Sequence, residues 1–202
     1  MEALLPRFRA AHTQVLGVSV DSIYSHANWG RSLEGISFPL LADFHPKGGV
    51  ASACGLYLAD NGITDRATLI IDKDGVVRYA VSVTPGGKRD IAELASECEK
   101  VDREFGKGLA AFPEAGGMPA GSTLYVKSKC GFSRAALLAR DNLHLAGKLP
   151  VKNVTDDPAA REALVKAAGK EQAPCLVHGT TAIHETPEII RFMVTSATDL
   201  AG

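Results

Sequence analysis

Cys130 stands where a β-branched and apolar run, Thr123 to Val126, gives way to a stretch of helical character beginning near Ser133. A cysteine at a strand-to-helix turn meets unpaired helix N–H groups and the positive end of the helix dipole, and both favour a thiolate over a thiol. Lys127 and Lys129 add positive charge nearby. A thiol of lowered pKa is nucleophilic near neutral pH and is also a better leaving group in disulfide exchange. The other cysteines, Cys54, Cys98 and Cys175, lie far from it in sequence, and no two of the four form a CxxC pair. That spacing fits neither a dense disulfide framework nor a zinc ribbon, so reduced thiols are expected. Cys54 and Cys98 fall on apolar helical positions and are read as structural.

The elements that would position Cys130 follow from periodicity. Strand Thr123–Val126, the Cys130 turn and helix Ser133–Leu145 come first. Strand Val151–Val154, helix Pro158–Ala168, strand Cys175–His178, strand Ala182–Ile183 and helix Pro187–Met193 complete a β-α-β-α-β-β-α order. Upstream, Thr13–Val20, Ala67–Asp72 and Val76–Val83 read as strands, with Asp74-Gly75 as a tight turn between the last two. Helices are expected at Met1–Ala11, Ser25–Leu33, Gly49–Cys54 and Lys88–Phe105. Between the two groups the sequence GKGLAAFPEAGGMPAG has no periodicity and reads as a linker. The expected organisation is a domain at 1–106, a linker at 107–121 and a second domain at 122–202, each an α/β layer structure.

With Lys and Arg together at 22 against 23 acidic residues, the chain has no excess charge with which to attract nucleic acid or an anionic membrane. No run approaches the roughly 18 apolar residues of a membrane span, and Arg7 and Arg9 interrupt the N-terminus where a signal core would lie. A cytoplasmic protein is expected, with no nucleic acid, no membrane and no metal among its partners.

The segment Leu124–Ser133, LYVKSKCGFS, resembles the active-site strand and loop of the glutaredoxins, and its C-G-F-S tetrapeptide resembles that of the monothiol branch. The resemblance spans nearly all of residues 122–193 and implies a thioredoxin-like fold using glutathione as co-substrate. Ala173-Pro174 is similar to the family's cis-proline turn, whose backbone would pair with glutathione, and Lys127 would lie beside the same ligand. Glu185-Thr186 resembles the Glu-Ser element with which glutathione transferases hold the γ-glutamyl group, and departs from the Gly-Gly and paired-Asp pattern of ordinary glutaredoxins. Ser133 stands in place of a second active-site cysteine, so a mixed disulfide on Cys130 needs an outside thiol. Cys175, next to Pro174, is the candidate resolving cysteine; alternation along its strand favours a structural role instead. Monothiol members can also share a [2Fe-2S] cluster with glutathione between two chains, a second function class that is not favoured here.

Residues 1 to about 104 resemble a peroxiredoxin of the alkyl hydroperoxide reductase and thiol-specific antioxidant type. The likeness rests on VLGVSVDS at Val15–Ser22, FPLLAD at Phe38–Asp43, VASACGL at Val50–Leu56 and DRATLIIDKDGVVRYA at Asp65–Ala80. It implies that Arg66 hydrogen-bonds a peroxide and stabilises an attacking thiolate. The family's peroxidatic residue belongs to a T-x-x-C element at the start of the helix matched by Met1–Ala11, and no cysteine of this sequence occupies that place. The N-terminal hairpin and a central strand are missing with it. Either something else covers the gap or the start is internal, one version being an upstream selenocysteine whose codon is read as a stop.

These readings converge on two thioredoxin-like domains in tandem, the first without its N-terminal strands. The expected activity is a glutathione-linked glutaredoxin half within a peroxiredoxin-glutaredoxin fusion that reduces hydroperoxides, in a homo-oligomer. The alternatives are the cluster carrier and a non-catalytic redox docking module.

Overall fold

The computed structural model describes residues 1–199. The end of the expected domain 122–202, residues 200–202, lies outside the described residues. The chain divides into two compact units, one of residues 1–26 and 37–112 and one of residues 27–36 together with those from 113 onward.

In the first unit a 3-10 turn at Glu2–Leu4 leads into helix α1 (Leu5–Ala10). Strand β1 is confined to Gly17–Ser19 and pairs in parallel with β2 (Leu40–Ala42), a strand that the periodicity did not suggest. The expected strand from Thr13 is shortened for two reasons. Thr13 is bound to the end of α1, its N–H donating to the Phe8 carbonyl and its hydroxyl to that of Ala11. Pro39, just before β2, has no N–H with which to extend the ladder. Helix α2 (Ile23–Ser32), whose residues from 27 onward belong to the second unit, begins two residues earlier than expected because the Ser22 hydroxyl accepts the Ser25 N–H as an N-cap.

Helix α3 (Gly49–Ala53) follows, with Cys54 at its C-cap and exposed to solvent, which corrects the reading of Cys54 as a buried structural residue. Short strands β3 (Tyr57–Leu58) and β4 (Ile63–Thr64), also unforeseen, form a small hairpin. Strands β5 (Ala67–Ile71) and β6 (Val77–Ser82) form the expected antiparallel pair, with Gly75 at a positive φ of 80° in the turn. Helix α4 (Ile91–Phe105) starts after Asp90, whose carboxylate accepts the N–H groups of Ala92 and Glu93. Leu94, Ala95 and Cys98 of α4 pack on Phe8, Ala11 and Ile70 to form this unit's core. Among the described residues the unit has three two-stranded sheets and no strand pairing that joins them.

The second unit contains β7 (Thr123–Val126), α5 (Gly131–Asn142), β8 (Val151–Asn153), α6 (Pro158–Ala168), β9 (Cys175–His178), β10 (Thr181–Ile183) and α7 (Thr186–Ala197). These make one four-stranded sheet in the order β10-β9-β7-β8, with β8 parallel to β7 and β9 and β10 antiparallel. Alternation along β7 sends its side chains to opposite faces. Leu124 and Val126 join Ala136, Leu176, Ile189 and Met193 on the side of α5 and α7. Tyr125 joins Val154, Ala160, Leu164 and Cys175 on the side of α6. A sheet covered by helices on both faces makes β7 a central, fully buried strand. Fully burying one such leucine contributes about 1.5–3 kcal/mol, which holds the end of β7, and hence the Cys130 turn, in a fixed place.

Candidate functional site

Helix α5 begins at Gly131, two residues before its expected start, so that Cys130 is itself the N-cap, in an extended conformation with φ −106° and ψ 119°. Its side chain is half-buried. The thiol is held below its ordinary pKa, first by the N–H of Ser133, then by the Ser133 hydroxyl, and further by the Phe132 N–H and the charge of Lys127; partial burial opposes these. The sulfur forms no conventional capping hydrogen bond, so the effect is that of oriented N–H dipoles at an open helix end. Lys129, expected to share in the effect, does not figure among its causes; it is an exposed residue at a φ of 56°.

Ser133 plays a part that its residue type did not disclose. It is buried, with 1% of its surface exposed, and its hydroxyl oxygen accepts the Lys127 N–H at 3.0 Å. That bond leaves the hydroxyl proton free to be directed at the sulfur. The available signal was position: a serine three residues after an N-cap lies in the first helical turn, over the cap side chain.

The Ala173-Pro174 peptide is cis, and Pro174 is buried immediately before β9. Since Tyr125 pairs with Cys175 across the antiparallel ladder, one further step in the same register sets Pro174 beside the end of β7 that leads to Cys130. Lys127 Nζ lies 3.8 Å from Glu171 Oε1, and Arg161 Nε lies 3.5 Å from the same oxygen. Glu185, exposed, is the N-cap of α7 but makes no capping bond; its Oε1 instead accepts the Gln172 amide at 3.3 Å. Thr186 is the first residue of α7 and is half-buried. Residues 171 to 174 are thus tied at one end to Lys127 and at the next residue to Glu185. Glu171 and Gln172, the two residues that make these ties, were not singled out from sequence.

Cys175 departs from the resolving role. It is fully buried on the α6 face of the sheet, and burial pushes its thiol up to about 11. A thiol in that state supplies almost no thiolate at neutral pH. Cys98, in the core of the first unit, is likewise raised by burial, as a structural cysteine should be.

Arg66 belongs to the first unit and Cys130 to the second. Arg66 is exposed just before β5; its Nε donates to the Pro85 carbonyl at 3.0 Å, and its N–H donates to Asp65. Arg89 donates to the Thr68 hydroxyl and the Ala67 carbonyl, and its pKa is lowered by burial first and by the charge of Arg66 second. Two guanidinium groups therefore lie close together at the start of β5. No group of three or more His, Cys, Asp or Glu side chains suited to a metal ion occurs among the described residues, and no helix among them is long and apolar enough to cross a membrane.

Residues 1–80 match the AhpC/TSA family. The chain is 37% identical over 86 residues to alkyl hydroperoxide reductase E of Mycobacterium tuberculosis (strain ATCC 25618 / H37Rv), across 43% of this chain and 56% of that protein. It is 34% identical over 101 residues to the selenocysteine-containing peroxiredoxin PrxU of Peptoclostridium acidaminophilum, across 46% of this chain and 48% of that one. Among solved structures, Mycobacterium tuberculosis AhpC gives a TM-score of 0.46 at 29% identity, covering 50% of this chain and 59% of the other. The chain spans about half the length of the curated relatives it matches. The family match does not extend to residues 122–202.

Proposed function

We propose, starting from an AhpC/TSA-type segment at residues 1–80, that the chain is a peroxiredoxin-glutaredoxin fusion whose second domain is a glutathione-dependent thiol-disulfide oxidoreductase. The reading of that second domain as thioredoxin-like is supported by the order β10-β9-β7-β8 and by the helices on both faces of its sheet. The observation that carries the activity is Cys130 as N-cap of α5, with its thiol lowered by the Ser133 N–H and hydroxyl.

In the proposed reaction the Cys130 thiolate attacks one sulfur of a disulfide, forming a mixed disulfide and releasing the other sulfur as a thiolate. A glutathione thiolate then attacks the outer sulfur, and Cys130 leaves as the thiolate that the helix end stabilises. With a glutathione mixed disulfide as substrate, Cys130 takes the glutathionyl sulfur, one glutathione thiolate enters, and glutathione disulfide leaves as the oxidised product while the other sulfur departs as a thiolate. Lys127, the 173–174 backbone and the Glu185-Thr186 helix start are the proposed contacts for glutathione. Arg66 is the proposed peroxide-polarising group of the first domain, acting in a homo-oligomer on a hydroperoxide. Fusion raises the effective concentration of the reducing thiol, to the order of millimolar for a short flexible linker.

The test is reduction of a small glutathione mixed disulfide by the Cys130→Ser variant. Activity should fall to the background of free glutathione, and retention of full activity would remove the reading.

A further inference from the structure

We infer that Glu171 is a specificity-determining residue for the thiol that regenerates Cys130, acting against reductants that carry a carboxylate. The inference rests on the reading of Cys130 as a redox thiol. Its ground is geometric: one carboxylate oxygen of Glu171 takes both nearby cations, Arg161 Nε at 3.5 Å and Lys127 Nζ at 3.8 Å. Lys127 is also the cation whose charge reaches the Cys130 sulfur. Glu171 therefore occupies, from within the chain, the counter-ion position that a carboxylate of an incoming thiol would take beside the thiolate.

Both pairs are long and solvent-exposed, with side-chain exposures of 39% for Lys127, 42% for Glu171 and 47% for Arg161. Ion pairs of this kind stabilise a fold little, so Glu171 can be displaced without unfolding the site. Its charge nevertheless remains at the rim. The regenerating thiolate is itself an anion, and any carboxylate it carries brings more negative charge toward a group that already bears one. With Glu171 present the three side chains carry one net positive charge; without its charge they carry two. The difference should grow with the negative charge of the reacting thiolate: largest for one that also carries carboxylates, smaller for a simple thiolate, and smallest for one whose ammonium group cancels the charge of its sulfur.

In the step that reads this out, a thiolate attacks the outer sulfur of a Cys130 mixed disulfide, a new disulfide forms between the two small molecules, and the bond to Cys130 breaks to release its thiolate. No other oxidant or reductant is required.

The experiment uses the full chain with Cys54→Ser, so that of the three remaining thiols Cys130 is the one that is not buried, capped as its mixed disulfide with 2-mercaptoethanol. Second-order rates of release are measured with glutathione, 2-mercaptoethanol and cysteamine, with and without Glu171→Gln. At low salt the substitution should speed glutathione about threefold, speed 2-mercaptoethanol by less than about twofold, and leave cysteamine nearly unchanged, with the differences shrinking as salt screens them. Glu171→Lys should widen the gap between glutathione and cysteamine further. An equal change for all three thiols, or no change for glutathione, would overturn the inference while leaving Cys130 chemistry intact. Failure of Cys130 to form the mixed disulfide at all would instead overturn the redox reading, and this inference with it.

Discussion

The Ser133 hydroxyl accepts the backbone N–H of Lys127 at 3.0 Å, which ties the last residue before the Cys130 turn to the first turn of the helix that follows it. Because the oxygen is already an acceptor there, the hydroxyl proton is the part of the group left for the Cys130 sulfur. Ser133→Ala should therefore raise the Cys130 thiol pKa and loosen the turn. The check is the rate of iodoacetamide alkylation against pH. The variant's profile should move to higher pH, and its rate near neutrality should fall about threefold or more, since alkylation follows the thiolate fraction. An unmoved profile would mean that the helix N–H groups act alone.

The four thiols should separate by accessibility. Cys130 and Cys54 should be alkylated in the folded protein, whereas Cys98 and Cys175 should react only after unfolding. Mass spectrometry of peptides after alkylation with and without denaturant checks this. Prompt labelling of Cys175 in the folded state would return it to consideration as a resolving thiol.

Glu185→Ala should raise the KM for glutathione severalfold while changing kcat little, because the proposed contact lies at the remote end of the substrate and is made equally in ground and transition states. Its bond to Gln172 makes a useful control. If Gln172→Ala raises KM as much as Glu185→Ala does, the carboxylate acts by positioning the 171–174 segment. An unchanged KM in both variants would show that glutathione does not use this helix start.

Much of the second unit was legible because its central strands, β7 and β9, are packed between helices on both faces. Thr123–Val126, Pro158–Ala168 and Cys175–His178 coincide with the observed elements, since short β-branched runs and a Pro-initiated helix carry strong local signals. The first unit was less legible. β1 is three residues and not eight because strand length depends on a partner, and Pro39 limits the partner that it has. Leu40–Ala42 and the Tyr57–Leu58 hairpin are too short to establish a period. At the site, the position of Cys130 could be read from its neighbours, but the role of Ser133 could not. It depends on which backbone N–H reaches its oxygen, and that is fixed only when β7 and α5 meet. The same holds for Glu171, whose cation partners are 10 and 44 positions away in sequence.

Asp43 gives the first unit an acid-sensitive joint. Its two oxygens accept the N–H groups of Val50 and Ala51, which serve α3 in place of a cap at Gly48. The Ala51 N–H first, then that of Val50, holds the carboxyl below its ordinary 3.8. A carboxyl depressed in the folded state adds stability above its unfolded pKa, and that stability is lost as pH falls through the folded value. Asp43→Asn can keep only one of the two acceptors. The variant should melt at a lower temperature at neutral pH, and its deficit should close as pH is lowered below about 4. Parallel melting curves for the two proteins across that range would show that the carboxylate charge is immaterial.

The 202-residue chain itself should consume hydrogen peroxide slowly, and what it does consume should depend on Cys130 and not on Arg66. The two cysteines of the first unit are ill-suited to the reaction. Cys98 is buried with its thiol raised, and Cys54 sits exposed at the C-cap of α3, not at a helix N-terminus. Arg66 is the proposed guanidinium for a peroxide, and Arg89 lies close by, but a polarised peroxide needs a thiolate or selenolate in line to react with. Cys130 is the thiolate available, and a thiolate without a shaped peroxide site reacts at the slow rate of ordinary thiols. Peroxide loss should accordingly be compared for the chain, Cys130→Ser, Arg66→Ala and Cys54→Ser. Only Cys130→Ser should lower the rate, by about tenfold or to background, the equivalent of about 1.4 kcal/mol or more. A fast reaction that survives Cys130→Ser and disappears with Cys54→Ser would instead make Cys54 the peroxidatic residue and Arg66 its partner.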